Sequence, residues 1–119
     1  MKRQAWKRKI KKACVEAGTY RPFFDIPIAS LAEILETRDR AMEQYVASGA
    51  NPVISHTNKA KEKNLVKNPA LVAYNDLSST ALSYWRDLGL TPAGLKRIDE
   101  NAMKQQKRSA LADVLSSLE

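Results

Sequence analysis

Two short motifs in the second half of the chain constrain its fold more than any other feature. Asn68-Pro69 and Thr91-Pro92 each place a hydrogen-bond-accepting side chain before a proline, a pairing typical of the start of an α-helix. Between them, a stripe recurs at helical spacing: Leu71, Tyr74, Ser78, Ala81, Trp85 and Leu88. Gly89 is a helix stop. We therefore predict a helix from residue 69 to about 88, a sharp corner, and another helix from residue 92.

The first half of the chain also has helical periodicity. Asp25 before Ile26-Pro27 predicts a helix start, and a long apolar stripe follows and ends near Ser48-Gly49: Ile28, Leu31, Leu35, Met42 and Tyr45. Residues 2–17 form a shorter amphipathic pattern around Trp6, Ile10 and Cys14. Only four glycines and few aromatic residues are present, which disfavours a β-rich fold. The predicted fold is all-α, a helical domain with long antiparallel helices.

Residues 50–67 interrupt the helical pattern. Asn51-Pro52 is a turn signal, and Val53-Ile54 suggests a short strand, so we predict a loop or short hairpin here. The chain has 119 residues, the size of one ordinary domain. Within it we expect a basic N-terminal helix at 1–18, a helical core domain at 19–98 and a C-terminal helical tail at 99–119.

Positive charge is concentrated at the start of the chain. Residues 1–12 carry seven basic side chains and no acidic one, whereas the remainder is charge-balanced. The seven are Lys2, Arg3, Lys7, Arg8, Lys9, Lys11 and Lys12. A solvated face, a membrane-surface helix and a nucleic-acid contact all fit this pattern, and we favour contact with phosphates. Because like charges repel, we expect residues 1–12 to fray, and we expect a chain that lacks them to keep its assembly but lose most nucleic-acid binding.

A second group of lysines lies in the polar segment that follows Val53-Ile54: Lys59, Lys61, Lys63 and Lys67. In an extended chain, the alternation of Lys59, Lys61 and Lys63 puts all three on one side. Either a mobile solvated loop or a second phosphate contact is consistent with this segment.

The C-terminal region holds two apolar patterns. Leu95, Ile98 and Ala102 continue an inward-facing spacing, and residues 99–109 are mostly polar. A short stripe then follows at the end of the chain: Leu111, Val114, Leu115 and Leu118. This stripe either folds back on the core or binds a partner.

The side chains needed for catalysis are scarce. The chain has one cysteine and one histidine, and no motif for a metal, a nucleotide or another cofactor. We interpret Cys14 as a packing residue and His56 as a loop histidine, and we predict no enzymatic activity. No apolar run is long enough to span a membrane, and the sequence is typical of a soluble cytoplasmic protein.

The order and spacing of several motifs resemble the small subunit of phage terminase. The resemblance is carried by Trp6 to Ile10, by Asp25 leading into the long helix with Leu31, Leu35 and Tyr45, and most strongly by the C-terminal half. There Lys67-Asn68-Pro69-Ala70 opens a helix through Tyr84-Trp85-Arg86-Asp87, and Leu88-Gly89-Leu90-Thr91-Pro92 closes it before Arg97-Ile98. The match covers roughly residues 6–98.

This resemblance implies a non-enzymatic, mainly helical protein that forms a homo-oligomeric ring in the host bacterial cytoplasm. It implies binding to double-stranded viral DNA at the packaging-initiation region. It also implies recruitment and regulation of the terminase large subunit, with the stripe from Leu111 to Leu118 as the candidate contact. The position of the DNA site within the chain rests on the charge map.

Two other functions fit the sequence. The corner at Gly89 allows a small phage helix-turn-helix DNA-binding regulator, although the helix after Pro92 offers only Lys96 and Arg97 as basic residues in its first turns. A protein-interaction module whose basic helix docks on an acidic partner is the other alternative. Oligomeric mass distinguishes a ring from a dimer or a monomer.

Overall fold

The computed structural model describes residues 1–118 and consists mainly of four helices. They are α1 (Arg3–Ala17), α2 (Asp25–Ala47), α3 (Pro69–Asp87) and α4 (Pro92–Ser117). A single 3₁₀ turn, Pro22–Phe24, precedes α2, and strands β1 (Val53–Thr57) and β2 (Lys63–Lys67) form an antiparallel hairpin between α2 and α3. The predicted helical fold with a short hairpin near residues 50–67 is confirmed.

Helix α2 is the centre of a three-helix antiparallel bundle. The Arg3 end of α1 lies beside Glu33 and Glu36 of α2, and the short segment after α1 leads back to the start of α2. At the opposite end of α2, Ser48 accepts a hydrogen bond from the Asn68 side chain at the start of α3. The buried core lies where these three helices meet and comprises Ile10, Cys14, Ile28, Leu31, Ala32, Leu35, Ala81 and Leu88.

The hairpin and α4 extend the molecule at opposite ends. The hairpin follows the C-terminal end of α2, whereas α4 begins at the far end of α3 and leaves the bundle after about two turns, since all its residues from Asp99 to Leu118 are exposed. The molecule measures 83 × 28 × 21 Å. The elongated shape therefore comes from two appendages on a small bundle.

The helix starts predicted at Asn68 and Thr91 are confirmed at atomic level, whereas Asp25 is the first residue of α2 and does not cap it, because Phe24 occupies the N-cap position. The Asn68 side chain accepts a hydrogen bond from Ala70 N at 3.0 Å, and Thr91 Oγ1 accepts one from Gly94 N at 3.1 Å. Gly89, with φ +75°, ends α3. The amide of Leu90 donates to Trp85 O across this glycine at 2.8 Å, which satisfies a carbonyl that the helix end leaves free.

Asn68 also ties the hairpin to the bundle. It is buried, its side-chain amide donates to Asn51 O at 3.0 Å and to Ser48 Oγ at 3.1 Å, and its backbone amide donates to Pro52 O at 2.8 Å. One residue thus caps α3 and closes the base of the hairpin.

Replacement of Asn68 with alanine is expected to lower the free energy of unfolding by about 2–3 kcal/mol, since it removes a helix cap and buried hydrogen bonds. Asn68→Ser keeps a cap acceptor but loses the amide donors, so its midpoint in urea unfolding should lie between those of the wild type and Asn68→Ala. Equal midpoints for the wild type and Asn68→Ser would show that the amide contacts contribute nothing, and equal midpoints for Asn68→Ser and Asn68→Ala would show that the cap contributes nothing.

Candidate nucleic-acid interface

Helix α1 has one buried side and one basic side. Ile10 and Cys14 face the core, with 1% and 0% of their surface exposed, and Trp6 packs at the edge of the core. At about 100° per residue, Arg8 and Lys12 lie on the opposite side of the helix, and both are exposed. The burial of Ile10 explains why this charged segment is helical and attached to the bundle.

The N-terminal end of α1 is held by acidic side chains of α2. Trp6 Nε1 donates to Asp39 Oδ2 at 2.8 Å. The Arg3 guanidinium lies 3.0 Å from the Glu33 carboxylate and 3.8 Å from that of Glu36. These contacts anchor residues that charge repulsion alone would loosen, and they engage Arg3 within the chain. Lys2 is exposed and lines a shallow cleft beside Glu36 and Asp39.

Arg38 joins all three helices of the bundle. Its guanidinium lies over the Trp6 ring of α1, 5.9 Å from the centroid, and over the Tyr74 ring of α3, 5.5 Å from the centroid. The neighbouring Asp39 carboxylate is 3.8 Å away. Sequence reasoning missed Arg38 and Asp39, because nothing in their local spacing marks them as the residues that meet Trp6.

Five cations of α1 remain available at its surface, and we name them the α1 basic face: Lys7, Arg8, Lys9, Lys11 and Lys12. Lys7 is half-buried and the other four are exposed. Lys9 lies 5.3 Å from the centre of the Trp6 ring and Lys11 lies 5.0 Å from that of Tyr20. None of the five forms a salt bridge within residues 1–118. The acidic side chain that shares a cleft with them is Asp25, which lines it together with Lys7, Arg8 and Lys11 without a salt bridge.

The burial pattern of α1 changes how its function must be tested. Deletion of residues 1–12 removes Ile10 and Trp6 together with the cations, so the deletion disrupts the core as well as the charge. The deletion therefore does not separate the loss of charge from the loss of packing, and its effect on DNA binding stays a prediction. Substitution of the exposed cations is the appropriate experiment.

Lys59, Lys61 and Lys63 do not form the one-sided row that an extended segment would give. Lys59 and Lys61 belong to the turn between the strands, whereas Lys63 and Lys67 lie on β2. Lys61 has a positive φ of 63°, which reverses the chain and breaks the alternation of an extended segment. All four lysines are exposed. The hairpin follows the C-terminal end of α2, whereas the contacts of α1 with α2 extend no further than Asp39 in the bonds described above, so the two groups of cations are separate.

The C-terminal stripe is exposed and does not fold back on the core. Leu111, Val114, Leu115 and Leu118 are 55–77% exposed. Leu95 and Ile98 are half-buried near the corner, but Ala102 is exposed, contrary to the predicted inward spacing. At about 100° per residue, the stripe lies on the side of α4 roughly opposite to Leu95 and Ile98, so a straight α4 turns it away from its own bundle.

The remaining reactive side chains are not assembled into a site. Burial raises the pKa of the Cys14 thiol, against a smaller opposing effect of its hydrogen bond with Thr19. His56 is exposed on β1 rather than in a loop. Within the described part of the chain, no three metal-ligating side chains cluster, and no helix is long and apolar enough to cross a membrane.

Comparison with known protein families gives a match over most of the chain. The family model described as "Phage terminase, small subunit" matches residues 3–105. This range includes α1, the complete bundle, the hairpin and the first half of α4. No curated protein and no solved structure matches the chain. Since the family match spans most of the sequence, the chain belongs to the phage terminase small subunit family.

Proposed function

We propose that this protein is a non-catalytic, ring-forming adaptor for viral DNA packaging that acts in the host bacterial cytoplasm. In this function it binds double-stranded viral DNA at the packaging-initiation region and recruits and regulates the large subunit. Family membership supports the role in packaging. The single observation that carries the DNA contact is the α1 basic face, whose cations lack acidic partners within residues 1–118.

The physical basis of this contact is the release of counterions from DNA. Arg8 and Lys12 are one helical turn apart and point to solvent, and Lys9 and Lys11 flank them. A helix with this arrangement places several cations against neighbouring phosphates. Such contacts position a duplex without reading its sequence. A ring repeats the same face in each subunit, so a weak contact per subunit becomes strong overall binding.

The exposed stripe on α4 supports the assignment of a protein contact at the C-terminal end. Four large apolar side chains on one helix face (Leu111, Val114, Leu115 and Leu118) remain more than half exposed, and nothing in their own bundle covers them. We assign the large-subunit contact to this stripe.

The charge of α1 provides the test of DNA binding. The full chain and the double variant Arg8→Gln/Lys12→Gln are compared by fluorescence anisotropy on a 30-base-pair duplex over a range of salt concentrations. Removal of two phosphate contacts is expected to reduce the slope of log affinity against log salt by about 1.8 per engaged protomer. At low salt, affinity is expected to fall by about tenfold or more.

The matched control is Lys104→Gln/Lys107→Gln, which removes the same charge from exposed positions of α4. It is expected to keep nearly wild-type affinity. Native mass spectrometry of all three proteins should give one closed oligomer. Equal losses in both double variants would attribute binding to net charge, and a salt-independent affinity would contradict the proposed phosphate contact.

A further inference from the structure

The hairpin between α2 and α3 has two different faces. Strand pairing places Val53, Ser55 and Thr57 opposite Lys67, Leu65 and Lys63. Because side chains alternate along a strand, these six residues share one face, which we name the outer face. Each of the six is exposed. On the inner face, Ile54 and Val66 are half-buried, so the inner face is the one turned toward the body of the protein.

The outer face combines basic, hydroxyl and apolar side chains. Leu65 is 79% exposed and lies between Lys63 and Lys67 on β2, while Ser55 and Thr57 lie opposite on β1. The outer face thus has a cation at each end of β2, an apolar and a hydroxyl group at its centre (Leu65 and Ser55), and no acidic residue. A second copy of the same face would repel it, and an apolar partner would leave the lysines without counter-charge.

The major groove of duplex DNA complements this arrangement. Phosphates along one side of the groove provide counter-charge for the two lysines of β2. The groove floor offers base-edge donors and acceptors for hydroxyl groups together with thymine methyl groups for an apolar side chain. A two-stranded β-ribbon fits a groove about 12 Å wide. A five-residue strand is about 17 Å long, so the outer face spans about five base pairs at ~3.4 Å per pair.

Hydrogen bonds hold the hairpin at both ends. At its tip, Asn58 Oδ1 accepts hydrogen bonds from Ala60 N and Glu62 N, both at 3.0 Å. Lys61 occupies a left-handed conformation with φ +63°, which glycine or asparagine adopts at lower cost. At its base, buried Asn68 bonds to Asn51. A ribbon held in this way loses little conformational entropy when it binds DNA.

We propose that the outer face of the hairpin enters the major groove and reads base edges, while the α1 basic face supplies sequence-independent affinity. This inference rests on the proposed function, since it requires that the chain bind duplex DNA. Thr57 and Leu65 are the specificity-determining residues that we assign, and Lys63 and Lys67 contact the flanking phosphates.

The test uses a pool of 30-base-pair duplexes with a randomised centre, from which the full-length wild type selects its preferred sequence. Affinities for the selected duplex and for the starting pool are measured by anisotropy, and their ratio is the specificity. Thr57→Ala/Leu65→Ala changes no charge, and it is expected to lower this ratio by about tenfold or more with nearly unchanged affinity for the pool. The control His56→Ala/Asn64→Ala alters the inner face of the same strands and is expected to keep the ratio.

The groove is identified with a second probe, the selected duplex built with 7-deazapurines. These bases lack the N7 acceptor of the major groove and keep their minor-groove edge, so wild-type affinity is expected to fall about tenfold. Circular dichroism melting confirms that the variants are folded.

Failure of the proposed function and failure of the hairpin inference give different results. If the wild type does not bind the starting pool at low salt, the proposed function and this inference both fail. If it binds and selects a sequence but Thr57→Ala/Leu65→Ala keeps the wild-type ratio, only the hairpin inference is overturned. An unchanged ratio together with loss of the oligomer would assign the outer face to a protein contact, and insensitivity to 7-deazapurines would overturn the major-groove placement.

Discussion

Replacement of Ile10 with alanine is expected to lower the free energy of unfolding by about 3 kcal/mol, because the side chain is 1% exposed and the space it leaves cannot fully collapse. For a domain of this size that corresponds to a decrease in Tm of roughly 12 °C. The expected loss is large because the basic helix is part of the core. Thermal unfolding followed by circular dichroism measures it.

Arg8→Ala, two residues earlier, is the matched control. Arg8 is exposed and forms no salt bridge within the described residues, so its replacement is expected to change stability by less than about 0.5 kcal/mol. The effects on DNA binding should be reversed, with Arg8→Ala weakening it. A small effect of Ile10→Ala on the melting temperature would mean that α1 is not packed on the bundle in solution.

Gly94→Ala is expected to open the corner between α3 and α4. A Cβ at this position would lie 2.9 Å from both the carbonyl carbon and the Cα of Arg86, and closer still to its carbonyl oxygen. These are backbone atoms of α3, so no side-chain rotation relieves the contact. The start of α4 must move away, which separates Ile98 from the region of Gly89 and Thr19 that it approaches.

In Gly94→Ala, helix propensity and the backbone clash change the stability in opposite directions. Helix propensity alone favours alanine over glycine by about 1 kcal/mol, so a variant without the clash would be stabilised. We expect instead a lower melting temperature and a changed particle dimension by small-angle X-ray scattering. Ala93→Gly, at the exposed neighbouring position, is expected to lose only the propensity term and keep the wild-type dimension. A raised melting temperature for Gly94→Ala would contradict the close packing of this corner.

The helices could be predicted from the sequence because their signals are local. The caps at Asn68 and Thr91 act within three residues, and the stripe from Leu71 to Leu88 is half-buried or buried throughout. A terminal apolar stripe gives no comparable information about its orientation. It indicates that one face of α4 is apolar, but whether that face meets the bundle depends on the direction in which α4 leaves the corner.

The contacts that hold the candidate site could not be predicted in the same way. Trp6 and Asp39 are 33 positions apart. Their pairing depends on the position at which α1 packs along α2. The lysine alternation failed for a different reason, because Lys61 occupies a turn position where glycine or asparagine is expected. The sequence therefore indicated a hairpin without locating its tip.

Cys14, the single cysteine of the chain, lies on α1 and is fully buried where this helix packs on the rest of the bundle. A thiol reagent can reach it only when α1 separates from α2 or the whole domain unfolds. Its labelling rate in the unmodified protein therefore reports the free energy of that opening, as hydrogen exchange does for an amide. Comparison of this rate with and without DNA would reveal whether binding tightens or loosens α1, with no introduced probe.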